Sequence, residues 1–201
     1  MAKRGSIRII GGRWRRRRLP VPDDDRVRPT PDRVRETLFN WLSDRIEGAR
    51  CLDLFAGTGA LGLEAASRGA ADVVMIEQDR RLVENIEEAV ATLGASNITV
   101  RGIDAFAYLA GSSRYGDPFD IVFLDPPFRR GLEQRACDML AAHEGGRAWI
   151  APGGRVYVES SRGRRLEWPD GWDVVREKDA GQVRYYLAEI SGDEPQERPS
   201  S

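Results

Sequence analysis

The sequence of 201 residues is 41% hydrophobic and 31% charged, which supplies enough apolar side chains for the core of one domain. Its apolar runs are four or five residues long, far below the roughly 20 residues that a membrane-spanning helix needs. Cys51 and Cys137 fit neither a disulfide framework nor a zinc motif, and no apolar secretory segment follows the N-terminus, so we expect a cytoplasmic protein.

The formal net charge of −1 hides an uneven distribution of charge along the chain. Residues 1–35 contain twelve Lys or Arg and four Asp, a net charge of +8, whereas the remainder carries −9. A basic arm on an acidic body predicts a polyanionic partner, although an ordinary solvated tail is the alternative. We therefore separate a basic extension, residues 1–29, called the arm below, from a body, residues 30–190. The polar residues 191–201 are predicted to be a disordered tail.

The first predicted elements are a hairpin and a helix. Three isoleucines before a Gly-Gly pair indicate a short hairpin over residues 7–19. Thr30 is the candidate N-cap of the helix, with Pro31 at its first position, where the missing N–H costs nothing. Apolar residues then follow helical spacing until Gly48 ends the helix.

The rest of the chain alternates between strand and helix. We predict strands at 51–55, 72–77, 97–101, 119–124 and 155–159, helices at 60–68, 80–93, from 104 and at 131–143, and a final hairpin of strands 172–177 and 183–190. Such alternation is typical of a parallel sheet with helices on both faces. The sequence therefore predicts an α/β fold with an open sheet of about seven strands, one of them antiparallel.

A glycine-rich segment, Asp53-Leu-Phe-Ala-Gly-Thr-Gly-Ala-Leu-Gly62, joins the first strand of this sheet to the next helix. Glycines there let a ligand approach the backbone closely. Glu77 ends the second strand, 20 residues after Gly57, where a carboxylate can accept both hydroxyls of a ribose. This spacing also fits a nicotinamide dinucleotide site, and a tight turn that serves packing alone stays open.

Asp53 favours a cationic ligand over a pyrophosphate, because a carboxylate at the end of the strand would repel phosphate. A cofactor with an ammonium group, such as S-adenosylmethionine, fits that charge. Asp104 follows the third strand, where an adenine amino group would lie, and it is equally a candidate helix N-cap.

A second motif, Asp125-Pro-Pro-Phe128, directly follows the fourth strand. Prolines stiffen the backbone, so the Asp125 side chain and a proline carbonyl would form two fixed hydrogen-bond acceptors beside a phenyl ring. Two acceptors and a stacking face suit a planar aromatic amine, and the motif lies at the edge of the sheet where α/β proteins bind ligands. A rigid loop with a core Phe is the structural alternative.

These motifs resemble those of the class I S-adenosylmethionine-dependent methyltransferases, which have a Rossmann-like fold. Within that class the chain resembles the RsmD family of 16S ribosomal RNA guanine(966)-N2 methyltransferases. The resemblance covers residues 8 to about 190, and its matching stretches are residues 8–14, 28–42, 52–65, 125–131 and 180–182. It implies methyl transfer from S-adenosylmethionine to a guanine N2 of 16S rRNA, with the small ribosomal subunit as partner. We expect a monomer.

The resemblance also implies roles for particular residues. The cofactor would contact Asn40, Asp53, Phe55, Ala56, Gly57, Gly59, Glu77, Gln78, Asp104 and Ala105. The target guanine would lie against Asp125, Pro126, Pro127 and Phe128, and residues 28–40 would border the cofactor and the substrate entrance.

The basic residues supply the candidates for RNA contact. They are Arg13, Arg15, Arg16, Arg17 and Arg18 of the arm, with Trp14 as a possible stacking ring, and Arg129 and Arg130 beside the second motif. The single histidine, His143, is interpreted as a surface residue, and the sequence contains no cluster of metal ligands.

Three other functions stay open on the sequence alone. An adenine-N6 methyltransferase of DNA or RNA uses the same loop of two hydrogen-bond acceptors, here residues 125–128 and called the acceptor loop below. That loop usually has Asn where this chain has Asp125. A nicotinamide-dependent oxidoreductase fits the glycines but not Asp53 or the second motif. A catalytically silent RNA-binding module would explain the basic arm alone.

Overall fold

The computed structural model describes residues 5–22, 30–111, 117–127, 131–142 and 148–191. A two-stranded hairpin of β1 and β2 precedes a mixed sheet whose strands are connected mostly through helices. The elements are β1 Gly5–Arg8, β2 Arg18–Val21, α1 Asp32–Trp41, β3 Arg50–Asp53, α2 Ala60–Ser67, β4 Asp72–Glu77, α3 Arg80–Leu93, β5 Ile98–Gly102, α4 Ala105–Ala110, β6 Phe119–Leu124, α5 Leu132–Ala141, β7 Ile150–Ser161, β8 Trp172–Ala180 and β9 Val183–Ile190.

Seven strands form one sheet in the order β5-β4-β3-β6-β7-β9-β8. Strands β3 to β7 pair in parallel, and β9 runs antiparallel to both β7 and β8. This confirms the predicted sheet of seven strands with one antiparallel member. Because β3 has β4 on one side and β6 on the other, the winding of the chain reverses at β3 and leaves a crevice at its carboxyl end.

Two apolar layers cover the sheet, one on each face. Cys51 packs in the layer beneath α1, α2 and α3, whereas its neighbour Leu52 packs in the layer beneath α4 and α5. Burial on both faces explains why these strands have apolar residues at successive positions. The hairpin belongs to the first layer, where Ile7, Ile9 and Leu19 are buried in the same cluster as α1 and α2. The basic extension therefore shares the core of the body.

Helix α1 differs from its prediction at both ends. Thr30 was predicted as the N-cap, and this is wrong: the helix begins at Asp32, Pro31 occupies the N-cap position, and the Thr30 hydroxyl bonds elsewhere. The helix ends at Trp41 rather than near Gly48. Turns continue over residues 42–48, where the hydroxyl and the backbone N–H of Ser43 both donate to the Asn40 carbonyl at the end of the helix.

Strand β7 is longer than its prediction, residues 155–159, because it already pairs with β6 at Ile150. A proline and two glycines, residues 152–154, interrupt the apolar pattern there and concealed the strand. Among the described helices none is long and apolar enough to cross a membrane. Apart from Ser191, the predicted tail lies outside the described residues.

Candidate functional site

The two sequence motifs meet at the carboxyl edge of the sheet, beside the crevice at β3. Asp53 is the last residue of β3, and Asp125 directly follows the neighbouring strand β6. Glu77 is the last residue of β4, on the other side of β3. Parallel pairing of these strands therefore brings three carboxylates from distant parts of the chain to one edge.

Asp53 is the most deeply buried of these carboxylates, with 1% of its surface exposed. Its Oδ2 accepts a hydrogen bond from the Gly62 backbone at 2.9 Å, whereas its Oδ1 has no hydrogen-bond partner among the described residues. The pKa of Asp53 is raised to about 7, mainly by burial and to a smaller extent by the negative charges of Asp125 and Glu77, against the lowering effect of the Gly62 bond. A buried acceptor without a partner fits the ammonium group of a cofactor.

The glycine loop that follows Asp53 has the backbone conformation that its sequence demands. Gly57 and Gly59 have φ angles of 55° and 80°, in the left-handed region that other residues rarely adopt. A Cβ at Gly59 would also lie 3.0 Å from the Met75 side chain. The loop leads into the N-terminus of α2, and Ala56 donates its N–H to the Ile76 carbonyl of β4. The loop is thus fastened to the neighbouring strand.

Glu77 and Asp104 both bond to backbone N–H groups in this structure. Glu77 accepts from Gly57 and from Asp79, each at 2.8 Å. Asp104 accepts from Phe106 and Ala107, so it is the N-cap of α4, as its second interpretation had it. Each carboxylate oxygen has further lone pairs, so these bonds leave capacity for a ligand hydroxyl or amine.

The structure also places four other residues that are predicted to contact the cofactor: Phe55, Ala105, Gln78 and Asn40. The half-buried ring of Phe55 contacts the ring of Phe106 edge to face, with 6.0 Å between centroids, and Ala105 is buried in the same layer. Gln78 is exposed directly after β4. Asn40 is exposed in the last turn of α1, a full helix from Thr30, and its cofactor role stays a prediction.

Asp125, which is predicted to bind the target amine, lies directly after β6 at the carboxyl edge of the sheet. Its Oδ2 accepts a hydrogen bond from the Thr30 hydroxyl at 2.9 Å. Burial raises the pKa of Asp125, and the bond from Thr30 opposes that effect. Pro126 is buried and Pro127 exposed, which fixes the loop on one side. The predicted roles of Phe128, Arg129 and Arg130 fall outside the described residues, as does His143.

Three residues of this site were missed by the sequence analysis: Thr30, Glu159 and Tyr157. Glu159, one residue beyond the pairing of Val158 with Leu124, is 3% exposed and accepts from the Tyr157 hydroxyl at 2.6 Å. Burial and the charge of Asp125 raise the pKa of Glu159. The signal available in the sequence was its place as the first charged residue after the apolar run 156–158 of β7, just as Asp125 follows the apolar end of β6.

Arg13 and Arg17 of the basic arm lie at the edge of the sheet opposite to Asp125. Arg13 donates to the Asn97 side chain before β5, and Arg17 donates to the Thr92 carbonyl near the end of α3. Both partners belong to the amino edge. Arg15 and Arg16 are exposed between them, and Arg18 is exposed on β2. These arginines are therefore open to solvent, and Arg13 and Arg17 lie at the edge opposite to the acceptor loop.

Trp14 does not have the predicted stacking role. It is 8% exposed, its ring packs in the core layer, and the Arg13 guanidinium covers it at 4.0 Å from the ring centroid. Its backbone N–H also bonds to the Ser67 hydroxyl on α2. Because a base cannot reach this ring, the structure contradicts base stacking by Trp14.

Within the described ranges, no group of three or more His, Cys, Asp or Glu side chains is arranged to hold a metal ion. The polar groups at the crevice are instead acceptors: a buried carboxylate without a partner, a strand-end glutamate and the acceptor loop. Such a set suits an organic ligand with ammonium, hydroxyl and amine donors better than a phosphate.

Comparisons with known proteins agree with this geometry. Residues 7–189 match the family described as "Conserved hypothetical protein 95". The chain is 50% identical over 184 residues to ribosomal RNA small subunit methyltransferase D of Escherichia coli, which covers 91% of this chain and 89% of that protein. The Haemophilus influenzae protein of the same name is 40% identical over 92% of this chain and 94% of its own. The solved structure of Escherichia coli yhhF is 48% identical, with a TM-score of 0.84 over 93% of this chain and 99% of that one.

The fold and the site define a Rossmann-like, S-adenosylmethionine-dependent methyltransferase. The resemblance found in the sequence motifs is thereby confirmed. The chain belongs to the family of ribosomal RNA small subunit methyltransferase D.

Proposed function

We propose that this protein transfers a methyl group from S-adenosylmethionine to the exocyclic N2 of a guanine in 16S rRNA, as a monomer that acts on the small ribosomal subunit. The names of the relatives support methylation of small-subunit rRNA. The observation that carries the choice of an amine is the Asp125 carboxylate, held beside the cofactor crevice on a proline-stiffened loop.

The crevice fits the cofactor through residues of three strands. Asp53 would bind the ammonium group, since its Oδ1 is buried without a partner among the described residues. Glu77 would accept the ribose hydroxyls, and Asp104 and Ala105 would border the adenine at the N-terminus of α4. When bound, S-adenosylmethionine supplies a methyl group that is already activated, so the protein needs mainly to position the amine and exclude water.

The acceptor loop would make the target amine reactive. Guanine N2 is a poor nucleophile because its lone pair is delocalised into the ring. Hydrogen bonds from its N–H groups to the Asp125 carboxylate and the Pro126 carbonyl would favour the pyramidal, nucleophilic form. The same bonds would stabilise the positive charge that develops on nitrogen. Phe128 would stack on the base once it leaves its neighbours' stack.

Asp125 also favours guanine over adenine as the target. Guanine presents two kinds of donor side by side, N1–H and N2–H, whereas adenine presents an N1 acceptor beside its N6 amine. An ionised carboxylate only accepts, so it complements guanine and repels adenine N1. An Asn at this position could donate to that nitrogen.

The exposed arginines supply the electrostatic part of RNA binding. Because Arg13 to Arg17 lie near the amino edge, they would contact a part of the RNA that is distant from the modified nucleotide. The eight-residue helix α2, which runs between the two edges, alone spans about 12 Å. Arg129 and Arg130 would hold the phosphates next to the target base.

Nucleoside analysis of 16S rRNA from cells that lack this protein tests the proposal. We expect one N2-methylguanosine to disappear and to return on expression of the wild-type protein but not of Asp125→Ala. Unchanged N2-methylguanosine together with a lost N6-methyladenosine would support the adenine alternative and overturn the proposal.

A further inference from the structure

Thr30 contacts the acceptor loop although neither sequence motif contains it. Thr30 precedes α1 and is 6% exposed. Its hydroxyl lies 2.9 Å from Asp125 Oδ2, although 95 positions separate the two residues in sequence. Among the described residues, Thr30 is the side chain that donates a hydrogen bond to the Asp125 carboxylate.

Thr30 is held in place by a buried guanidinium. Arg35, 1% exposed, donates from Nε to the Thr30 carbonyl at 3.3 Å. Its Nη2 donates to the Arg8 carbonyl and to Asp32, and its Nη1 lies 3.7 Å from the fully buried carboxylate of Glu64. The backbone that presents the hydroxyl is thus tied to β1, α1 and α2 at once.

A fixed donor at this position has two consequences for Asp125. The terminal torsion of an Asp side chain is soft, and a hydrogen bond to Oδ2 restrains it while Oδ1 stays available for an amine. The donor also favours the ionised form of a carboxylate that burial disfavours. The other titratable groups that face it are Asp53 from β3 and the Glu159–Tyr157 pair from β7, and none of them supplies positive charge.

We propose that Thr30 is a positioning residue, which orients the Asp125 carboxylate toward the target amine; this inference rests on the proposed function of Asp125. Thr30 touches neither the methyl group nor the amine in this account. Its effect therefore passes through Asp125 and should appear in the chemical step rather than in cofactor binding.

The test compares single-turnover methyl transfer by Thr30→Val, Thr30→Ser and the wild type across pH, with saturating S-adenosylmethionine. Thr30→Val removes the donor, and we expect a rate about 10- to 100-fold lower, the range for a hydrogen bond to a charged group. The acid limb of its pH–rate profile should move to higher pH, because Asp125 loses a hydrogen bond that favours the ionised carboxylate. Thr30→Ser keeps the donor and should restore both rate and profile. S-adenosylmethionine affinity should be equal in all three.

Thr99→Val is the matched control, since Thr99 is a half-buried threonine on β5 that belongs to neither motif nor to the segment 28–40. It should behave as the wild type. If Thr30→Val lowers the melting temperature so far that the assay fails, Thr30→Ala is assayed in its place, because it removes the same donor with a smaller side chain.

The outcomes separate this inference from the proposed function. If Asp125→Ala is inactive while Thr30→Val keeps the wild-type rate and pH profile, the role of Thr30 is refuted and the proposed function stands. If Asp125→Ala remains active, the proposed role of Asp125 fails, and the inference fails with it. A slow Thr30→Val variant whose Thr30→Ser counterpart is equally slow would indicate a structural role only.

Discussion

The Glu77 carboxylate accepts a hydrogen bond from the Gly57 backbone across 2.8 Å, so the residue expected to bind the ribose also fastens the glycine loop. Its second oxygen accepts from the Asp79 backbone just beyond β4. One side chain thus ties together two loops that would surround the cofactor. Any substitution of Glu77 acts on the shape of the site as well as on a direct contact.

Replacing Glu77 tests the expected ribose contact. Glu77→Ala should weaken S-adenosylmethionine binding by about 1–3 kcal/mol, because it removes charge-assisted hydrogen bonds. Isothermal titration calorimetry measures the change directly. Glu77→Gln, which keeps one acceptor oxygen, should lose less affinity. Wild-type affinity in Glu77→Ala would exclude Glu77 from the cofactor site.

Asp53 should make cofactor binding depend on pH. Burial raises its pKa to about 7, so part of the population is protonated at neutral pH when no cation is bound. A ligand ammonium favours the ionised form, so affinity should rise as pH increases from 6 to 8, with release of protons. Titrations of S-adenosylhomocysteine in buffers of different ionisation enthalpy detect those protons.

The matched ligand for this titration is 5′-methylthioadenosine, which lacks the ammonium group. Its affinity should vary little over the same pH range, and Asp53→Asn should abolish the difference between the two ligands. Equal pH dependence for both ligands would show that Asp53 does not face the ammonium.

The buried pair of Arg35 and Glu64 should matter strongly for stability. Glu64 is fully buried and accepts N–H bonds from Ile10 and Gly11 of the hairpin. Glu64→Ala leaves the two backbone donors and the Arg68 guanidinium without their acceptor and removes the carboxylate that lies 3.7 Å from Arg35 Nη1. The loss should be about 3–5 kcal/mol in urea unfolding. Glu84→Ala, on the exposed side of α3, removes a surface pair with Arg80 and should cost less than about 1 kcal/mol. Similar losses for both variants would contradict this account.

The sheet and its site were largely predictable from the sequence, because strand–helix alternation and the strand-end carboxylates are local signals. Asp53, Glu77 and Asp125 all lie at the predicted edge. Thr30 was not predictable as a neighbour of Asp125, since a Thr before Pro-Asp has a strong local interpretation as an N-cap. Only the tertiary packing of α1 brings its hydroxyl to β6.

The packing of the arm was not predictable from the sequence either. Its charge was evident, but a Trp among five arginines looks exposed in sequence and is buried in the structure. The side of the sheet on which the hairpin packs depends on contacts with Asn97, Thr92 and Ser67, which lie more than 50 positions away. No pattern within residues 7–19 contains that information.

Replacing Arg15 to Arg18 with Ala should flatten the salt dependence of RNA binding. Each phosphate contact contributes roughly 0.7 to 0.9 to the log–log slope, so four lost contacts should lower the slope by up to about 3 units. Single-turnover chemistry with saturating RNA should change little, because no residue of the arm is assigned to the target amine. Arg176→Ala on β8 is an exposed control. An unaltered slope would show that the arm does not contact RNA phosphates. A large loss of single-turnover rate would indicate that the arm positions the target base.

The most direct test is methyl transfer by the purified protein to small ribosomal subunits that lack the modification. Methyl-labelled S-adenosylmethionine is supplied, and the nucleosides of the 16S rRNA are separated by mass spectrometry. We expect labelled N2-methylguanosine with the wild type and none with Asp125→Ala, and we expect that variant to bind the cofactor with wild-type affinity. Label in N6-methyladenosine, no label in 16S rRNA, or full activity of Asp125→Ala would contradict it.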